Sequence, residues 1–231
     1  MMMTIGCFHA HYSNIELIEE ALAPYEVELV HYVDPGLDRL KQHDADFTEA
    51  VTREKVSQTL QWIAHCHADA TLVTCTLFAA VLEQEAQYVP VPVVGIDDPL
   101  LLEMKRVPGR YILAFTNPAT IEGTMARVNQ ALRQDDENGQ RKGIDAVETE
   151  SVLIPSTFEL IMRGDKEGYL AAVSAGLQQI AEQSPGSTVV AAQLSMAPAA
   201  ARVTADTGML IFSPLASLSA YLEKKLSLAH R

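Results

Sequence analysis

Cys75 is the residue of this sequence whose type and position most favour chemistry. It follows the apolar run 70–74 (ATLVT) and precedes Thr76, so we expect it at the end of a buried strand and just before a helix. Backbone N–H dipoles at a helix start favour the thiolate, which is the reactive form of cysteine. The alternative is a buried and inert thiol, the commonest state of a free cysteine. Its position predicts that Cys75 is catalytic.

Two histidines stand in the polar segment that follows the first apolar run, residues 4–8. His9 and His11 lie where a loop histidine could pair with a thiolate or donate a proton, although such histidines are commonly only solvated. Ser13 opens the sequence SNIE, which predicts a capping box at a helix start. We therefore interpret His9 as a catalytic candidate, and His11 and Ser13 as substrate contacts.

Short apolar runs alternate with helical stretches along the whole sequence. The predicted strands lie near residues 4–8, 25–33, 70–75, 91–96, 111–115, 146–153, 188–192 and 209–212. Helices are predicted between them, one of them over 77–85, and 134–140 is predicted to be a charged surface loop. This order predicts an α/β fold of two similar halves, each with a four-stranded parallel sheet flanked by helices.

The composition excludes several classes of protein. The net charge is −13 and the basic residues are not clustered, so neither nucleic acid nor a membrane is expected as a partner. The three cysteines, Cys7, Cys66 and Cys75, lack the spacing of a disulfide framework or a zinc site, which predicts free thiols, no metal and a cytoplasmic location. No glycine-rich nucleotide motif is present, so no cofactor is expected.

The segments around Cys75 and Gln193, and the order in which they follow each other along the chain, resemble those of the aspartate/glutamate racemase superfamily. This superfamily includes hydantoin racemases and arylmalonate decarboxylase. Segment 70–76 is similar to the family's strand that ends in a catalytic cysteine, and 189–197 (VVAAQLSMA) occupies the place of its Gly-Cys-Thr segment. The resemblance implies two pseudo-symmetric halves with an active-site cleft between them. It also implies that residues 1–99 and about 213–231 form one half and 100–212 the other.

The sequence departs from the family where Gln193 replaces the second catalytic cysteine. A carboxamide can hold a substrate by hydrogen bonds, but it cannot shuttle the substrate's proton. Leu77 also stands where the family has a second small polar residue. On this resemblance, the groups left to bind substrate are Thr76, Thr116, Thr120, Gln193 and Ser195.

These features favour a cofactor-independent enzyme of racemase or isomerase type, in which Cys75 moves a proton on a small amino acid or carboxylate. Racemisation would require His9, Cys7 or bound water to serve the second face of the substrate. A one-cysteine decarboxylase or cis-trans isomerase of the same superfamily is one alternative. A non-catalytic protein that binds small carboxylates is another. The expected partner is a small anion, and a homo-oligomer is compatible with the sequence.

Overall fold

The chain is organised as two units, each built around one parallel sheet. The computed structural model describes residues 2–44, 46–79, 81–133 and 147–231. The first unit comprises Met1–Asp98 with Leu218–Arg231, and the second comprises Pro99–Ser217. The predicted surface loop at 134–140, and residue 146 of the predicted sixth strand, lie outside the described residues.

The two sheets have the same strand order. The first unit has the order β2-β1-β3-β4 and the second has the order β6-β5-β7-β8, and every pairing within them is parallel. The two four-stranded sheets and their helices confirm the predicted α/β class. The strands are β1 Met3–His9, β2 Val27–Val33, β3 Ala70–Val73, β4 Val93–Gly95, β5 Gly109–Phe115, β6 Val147–Leu153, β7 Ser187–Ala191 and β8 Ile211–Phe212.

Helices connect the strands, and the longer ones bury residues at helical spacing. In Glu49–His65 the buried residues include Val56, Leu60 and Ile63, which lie on one face. The helices are α1 Asn14–Leu22, α2 Gly36–His43, α3 Glu49–His65, α4 Thr76–Ala79, α5 Leu82–Glu85, α6 Asp98–Arg106, α7 Ile121–Arg133, α8 Phe158–Met162, α9 Lys166–Gln183, α10 Ala197–Thr207 and α11 Pro214–Leu226.

The C-terminal segment belongs to the first unit through contacts near Tyr25. The Tyr25 hydroxyl donates to Glu223 at 2.9 Å, and the Arg231 backbone N–H donates to the Pro24 carbonyl at 3.0 Å. An isolated antiparallel bridge joins Tyr25 to His230. These bonds fix the end of the chain beside the start of β2.

Two local predictions are corrected by the structure. The predicted helix over 77–85 is instead two single-turn helices, α4 and α5, with residue 80 between them outside the described residues. The predicted capping box at Ser13 is not formed, because the Ser13 side chain makes no cap hydrogen bond and contacts His11 instead. Helices α2, α6 and α8 were not predicted, because segments of five to nine residues are too short for periodicity to identify a helix.

Among the described residues, no helix is both long enough and apolar enough to cross a membrane. This finding agrees with the absence of a long apolar run in the sequence.

Strand β1 packs tightly against α3, which yields a testable prediction. A Cβ atom added at Gly6 would overlap the Ile63 side chain, whereas one added at Gly123 in α7 would meet nothing within 4 Å. We expect Gly6→Ala to lower the free energy of unfolding by about 1–3 kcal/mol, because the core must shift to admit the methyl group. The matched Gly123→Ala should raise it by up to about 1 kcal/mol. Urea denaturation measures both changes, and equal effects would contradict the packing described.

Candidate functional site

Cys75 lies two residues beyond the end of β3 and directly before α4. Its side chain is half-buried and packs against the core cluster that contains Phe8, Val73 and Phe78. Its carbonyl accepts a hydrogen bond from the Ala79 backbone N–H at 2.8 Å, which closes the single turn of α4. A single turn has a smaller dipole than the longer helix that was predicted, so it favours the thiolate less than expected. Thr76, the first residue of α4, is half-buried.

His9, the last residue of β1, is fully buried and takes part in a chain of polar contacts. Its Nδ1 lies 2.8 Å from Thr74 Oγ1, and its Nε2 lies 2.8 Å from His31 Nδ1 on the neighbouring strand β2. The other nitrogen of His31 lies 3.1 Å from Glu19 Oε1 on α1. Asn14 adds a hydrogen bond from its side-chain amide to Thr74 Oγ1 at 3.2 Å. The chain therefore runs from an exposed carboxylate to the residue beside Cys75.

The environment of His9 favours its neutral form. Burial, with a smaller contribution from His31, lowers the pKa of His9 to about 4. The imidazole is therefore uncharged near neutral pH, and both of its nitrogens already have partners in Thr74 and His31. A neutral ring cannot act as the counter-ion of a thiolate, and the catalytic role predicted for His9 stays a prediction.

His11 and Ser13 contact each other in the turn after β1. His11 Nδ1 lies 2.8 Å from Ser13 Oγ and accepts a hydrogen bond from the Ser13 backbone N–H at 3.2 Å. Both side chains are half-buried. The pair thus forms a local turn motif, and its predicted contact with substrate stays a prediction.

The Gln193 side chain accepts hydrogen bonds from a group of donors in the second unit. Its Oε1 accepts from the backbone N–H groups of Thr116 at 2.7 Å and Asn117 at 3.0 Å, and from the Thr116 hydroxyl at 2.8 Å. Its amide nitrogen donates to Thr120 Oγ1 at 3.3 Å. Two converging backbone N–H groups and a hydroxyl are the kind of group that binds a carboxylate oxygen in proteins. We call Thr116 N, Asn117 N and Thr116 Oγ1 the donor nest.

A second layer of hydroxyls supports the donor nest. Thr116 Oγ1 lies 3.2 Å from the Tyr169 hydroxyl, which lies 2.9 Å from Ser195 Oγ. Burial raises the pKa of Tyr169, and the hydrogen bonds from Ser195 and Thr116 oppose that rise. Thr120 Oγ1 donates to the Asn117 carbonyl at 2.9 Å. The structure therefore brings together Gln193, Ser195, Thr116 and Thr120, all of which were predicted from the sequence.

The internal repeat gives Cys75 and Gln193 equivalent positions in their units. Cys75 is the second residue after β3, and Gln193 is the second residue after β7. The residue before each one donates a backbone hydrogen bond to the central strand of its sheet, from Thr74 to Phe8 at 3.0 Å and from Ala192 to Ala114 at 3.0 Å. The equivalence of the two strand ends therefore rests on backbone pairing as well as on sequence order.

Sequence reasoning missed several residues of these two networks. Asn117 directly follows Thr116, and this position just after a predicted strand could have identified it as a candidate site residue. His31 and Tyr169 carried none, because strand register and helix packing determine their contacts and a single sequence shows neither.

Comparison with known proteins gives a match in structure and none in sequence. No sequence model of a protein family and no curated protein matches the chain. The structure is similar to that of the aspartate racemase from Picrophilus torridus, with a TM-score of 0.69 and 12% identity over 99% of this chain and 96% of that one. The predicted resemblance to the aspartate/glutamate racemases is thus confirmed at the level of the fold.

Two further solved structures extend the comparison. A glutamate racemase from Francisella tularensis, in complex with D-glutamate, matches with a TM-score of 0.68 and 12% identity over 98% of this chain and 81% of that one. The allantoin racemase from Klebsiella pneumoniae matches with a TM-score of 0.65 and 16% identity over 99% and 90% of the two chains. The similarity spans both units, so it covers the strand ends that carry Cys75 and Gln193.

The contacts of Gln193 predict a variant that responds to small carboxylates. Gln193→Ala leaves the N–H groups of Thr116 and Asn117 without their acceptor, so we expect the free energy of unfolding to fall by about 1–3 kcal/mol. Acetate should restore part of this loss, because its oxygens can accept the same hydrogen bonds. Urea denaturation in acetate and in chloride of equal ionic strength measures the effect.

The control is Gln178→Ala, which removes an amide that donates to Glu182 on the surface of α9. This variant should respond to acetate as the unmodified protein does. Equal acetate effects in the two variants would show that the donor nest does not bind a carboxylate.

Proposed function

We propose that this protein is a cofactor-independent enzyme of the racemase and isomerase type, which moves a proton at the carbon next to a carboxylate. The observation that carries the proposal is a fold shared with aspartate, glutamate and allantoin racemases over nearly the whole chain, with Cys75 at the end of a central strand. Parallel α/β sheets bind their ligands beyond the carboxyl ends of the strands. Cys75 stands at such an end.

In the proposed reaction, the Cys75 thiolate is the base. It takes the α-proton of the substrate, and the electron pair of the broken C–H bond moves into the adjacent carboxylate to give an enolate-type anion. The Cys75 thiol then exchanges its proton with solvent, and delivery of the solvent-derived proton or deuteron to the same carbon completes the exchange and regenerates the thiolate. Cysteine suits this role because its pKa can be brought close to neutral pH, where the thiolate is both populated and basic.

Carboxylate binding is proposed for the donor nest and the hydroxyls around it. The carbonyl oxygen of Gln193 accepts three hydrogen bonds there, as a carboxylate oxygen would. Neutral donors of this kind can bind an anion in a protein with a net charge of −13, because local backbone dipoles act at short range. A small amino acid or a dicarboxylate is the substrate class that this chemistry fits.

The proposal favours proton exchange on one face of the substrate over racemisation. Racemisation needs a second acid on the opposite face, and a carboxamide at position 193 has no proton of suitable pKa to give. A one-cysteine reaction, such as decarboxylation or isomerisation, needs one such group only. Exchange of the α-proton for deuterium, with retention of configuration, is the activity to look for first.

The first test is deuterium exchange in heavy water on a set of small amino and dicarboxylic acids. We expect Cys75→Ser to lower the exchange rate by about 10²-fold or more, because a hydroxyl is a far weaker acid than a thiol and supplies little base. The control is Cys66→Ser, which alters an exposed cysteine after α3 and should leave the rate unchanged. Full exchange in a folded Cys75→Ser variant would remove the chemical basis of the proposal.

A second candidate function is a protein that binds small carboxylates without turning them over. The observation that favours it is the saturation of the donor nest by Gln193, together with a His9 that is neutral and bonded on both sides. In this case, ligand binding would be measurable by calorimetry while deuterium exchange stays at the background rate in the unmodified protein. That pair of results would select binding over catalysis.

The role of position 193 is tested by restoring a thiol there. Gln193→Cys supplies the second acid that racemisation needs, so we expect interconversion of enantiomers to rise relative to exchange with retention. Chiral chromatography of the product after incubation measures the ratio. An accessible thiol in a folded variant with an unaltered ratio would count against a catalytic role for residue 193. Gln193→Ser, which adds no usable acid, is the matched control.

A further inference from the structure

Three side chains with metal-binding atoms meet on one face of the first sheet. The sulfur of Cys7 and ring nitrogens of His9 and His31 all lie within 4.8 Å of one another. Cys7 and His9 are two residues apart on β1, so they point to the same face, and Cys7 is the register partner of His31 on β2. Cys7 and His9 are fully buried.

We propose that Cys7, His9 and His31 form a binding site for a divalent transition-metal ion, with Zn²⁺ the best match. One thiolate and two imidazoles are the ligands that zinc prefers, whereas calcium and magnesium prefer oxygen. The site would use Cys7 Sγ, His9 Nε2 and His31 Nδ1. Its residues differ from Cys75, the donor nest and the other groups to which the proposed reaction assigns a role.

The contacts around the two histidines favour this use of their nitrogens. Metal-binding histidines commonly donate their other N–H to a carboxylate or another oxygen, which fixes the ring and its tautomer. His31 has Glu19 Oε1 at 3.1 Å from its far nitrogen, and His9 has Thr74 Oγ1 at 2.8 Å from its own. Each ring is therefore already oriented by an oxygen on the side away from the proposed ion.

Small movements would bring the ligand atoms to coordination distances. Zinc–nitrogen and zinc–sulfur bonds of tetrahedral geometry place the ligand atoms roughly 3.3–3.6 Å apart. His9 Nε2 and His31 Nδ1 lie 2.8 Å apart, so they must separate by roughly 0.5 Å. The three ligand atoms lie within 4.8 Å of one another, so the Cys7 sulfur must approach the nitrogens by at most about 1.2 Å. The side chain of His31 is 14% exposed, so this ligand borders solvent, whereas Cys7 and His9 do not.

Charge balance also fits an ion with two positive charges. Binding requires Cys7 to release its thiol proton to solvent, because the thiolate is the form of cysteine that coordinates a metal ion. A coordinating thiol is deprotonated by the metal itself. The thiolate and the Glu19 carboxylate together carry two negative charges, which match those of the ion.

The set of three ligands determines the class of site. Structural zinc sites have four protein ligands, whereas sites that bind an exchangeable ligand have three and leave the fourth position open. The group found among the described residues has three members. The proposed site is therefore one at which a small ligand, such as water or an anion, completes the coordination.

The test uses the full chain, stripped with a chelator and titrated with Co²⁺, a spectroscopic substitute for Zn²⁺. We expect one equivalent to bind and to give the near-ultraviolet charge-transfer band of a cobalt–thiolate bond. Cys7→Ser should abolish the band, and His31→Gln should weaken binding at least 10-fold. Because His31 is at the edge of the core, its variant keeps the test decisive if Cys7→Ser does not fold.

The matched control is a variant of Cys66, a cysteine with a histidine on each side in the sequence. Cys66 is exposed between His65 and His67, and it could bind cobalt at the surface. Cys66→Ser should keep the band and the one-to-one stoichiometry. Loss of the band in Cys66→Ser, or its retention in a folded Cys7→Ser, would overturn the proposal. So would the absence of any band in the unmodified protein.

A further variant probes the orientation of His31 without removing a ligand. Glu19→Gln keeps the shape of an exposed side chain but weakens its hold on the ring, so Zn²⁺ should bind about 10–100-fold more weakly, as measured by competition with a chelating dye. An unchanged affinity would contradict the proposed role of Glu19. Because these measurements need no turnover, they can fail or succeed independently of the proposed enzymatic reaction.

Discussion

Parallel pairing of β1 with both β2 and β3 is the constraint on which the chemistry of the first unit depends. Side chains alternate between the two faces of a strand, and register partners on parallel strands share a face. This places Cys7, His9 and His31 together on one face. On the other face, Phe8 joins the core cluster that Cys75 packs against. A shift of one residue in either ladder would exchange these sets, so the tight fit of Gly6 against Ile63 also maintains the separation of the two groups.

The second unit meets the same backbone constraint with different side chains. The strand ends of a parallel sheet leave backbone N–H groups that need acceptors. After β5, the N–H groups of Thr116 and Asn117 find one acceptor in the Gln193 side chain. A cysteine at that position could not satisfy both as well, since a thiol is a weak acceptor. The carboxamide therefore stabilises this loop by accepting both hydrogen bonds, and it has no group of suitable pKa for proton transfer.

The sequence predicted the sheets well because short apolar strands and their order are local signals. Cys75 and Gln193 were recognised at strand ends for the same reason. The prediction of one helix over 77–85 was wrong, because helix propensity alone does not show where a chain turns between two short helices. The prediction of a capping box at Ser13 was wrong, because the Ser13 hydroxyl contacts His11 instead of a backbone N–H group of the helix. The group of Cys7, His9 and His31 could not be recognised from the sequence, because His31 is 22 residues away from His9 and only the register of β1 with β2 brings it beside the other two.

Thr74 connects the two kinds of chemistry proposed for the first unit. Its hydroxyl contacts His9 Nδ1 at 2.8 Å and lies 3.4 Å from the Phe8 carbonyl, and the next residue in the chain is Cys75. With a metal on His9 Nε2, the proton of the ring must sit on Nδ1, so Thr74 must accept from His9 and can donate only to another acceptor such as the Phe8 carbonyl. Without a metal, His9 can instead accept the Thr74 proton. Occupation of the metal site thus fixes the direction of the hydrogen bonds at the residue that precedes the proposed base, while Cys75 itself packs against the core cluster that contains Phe8.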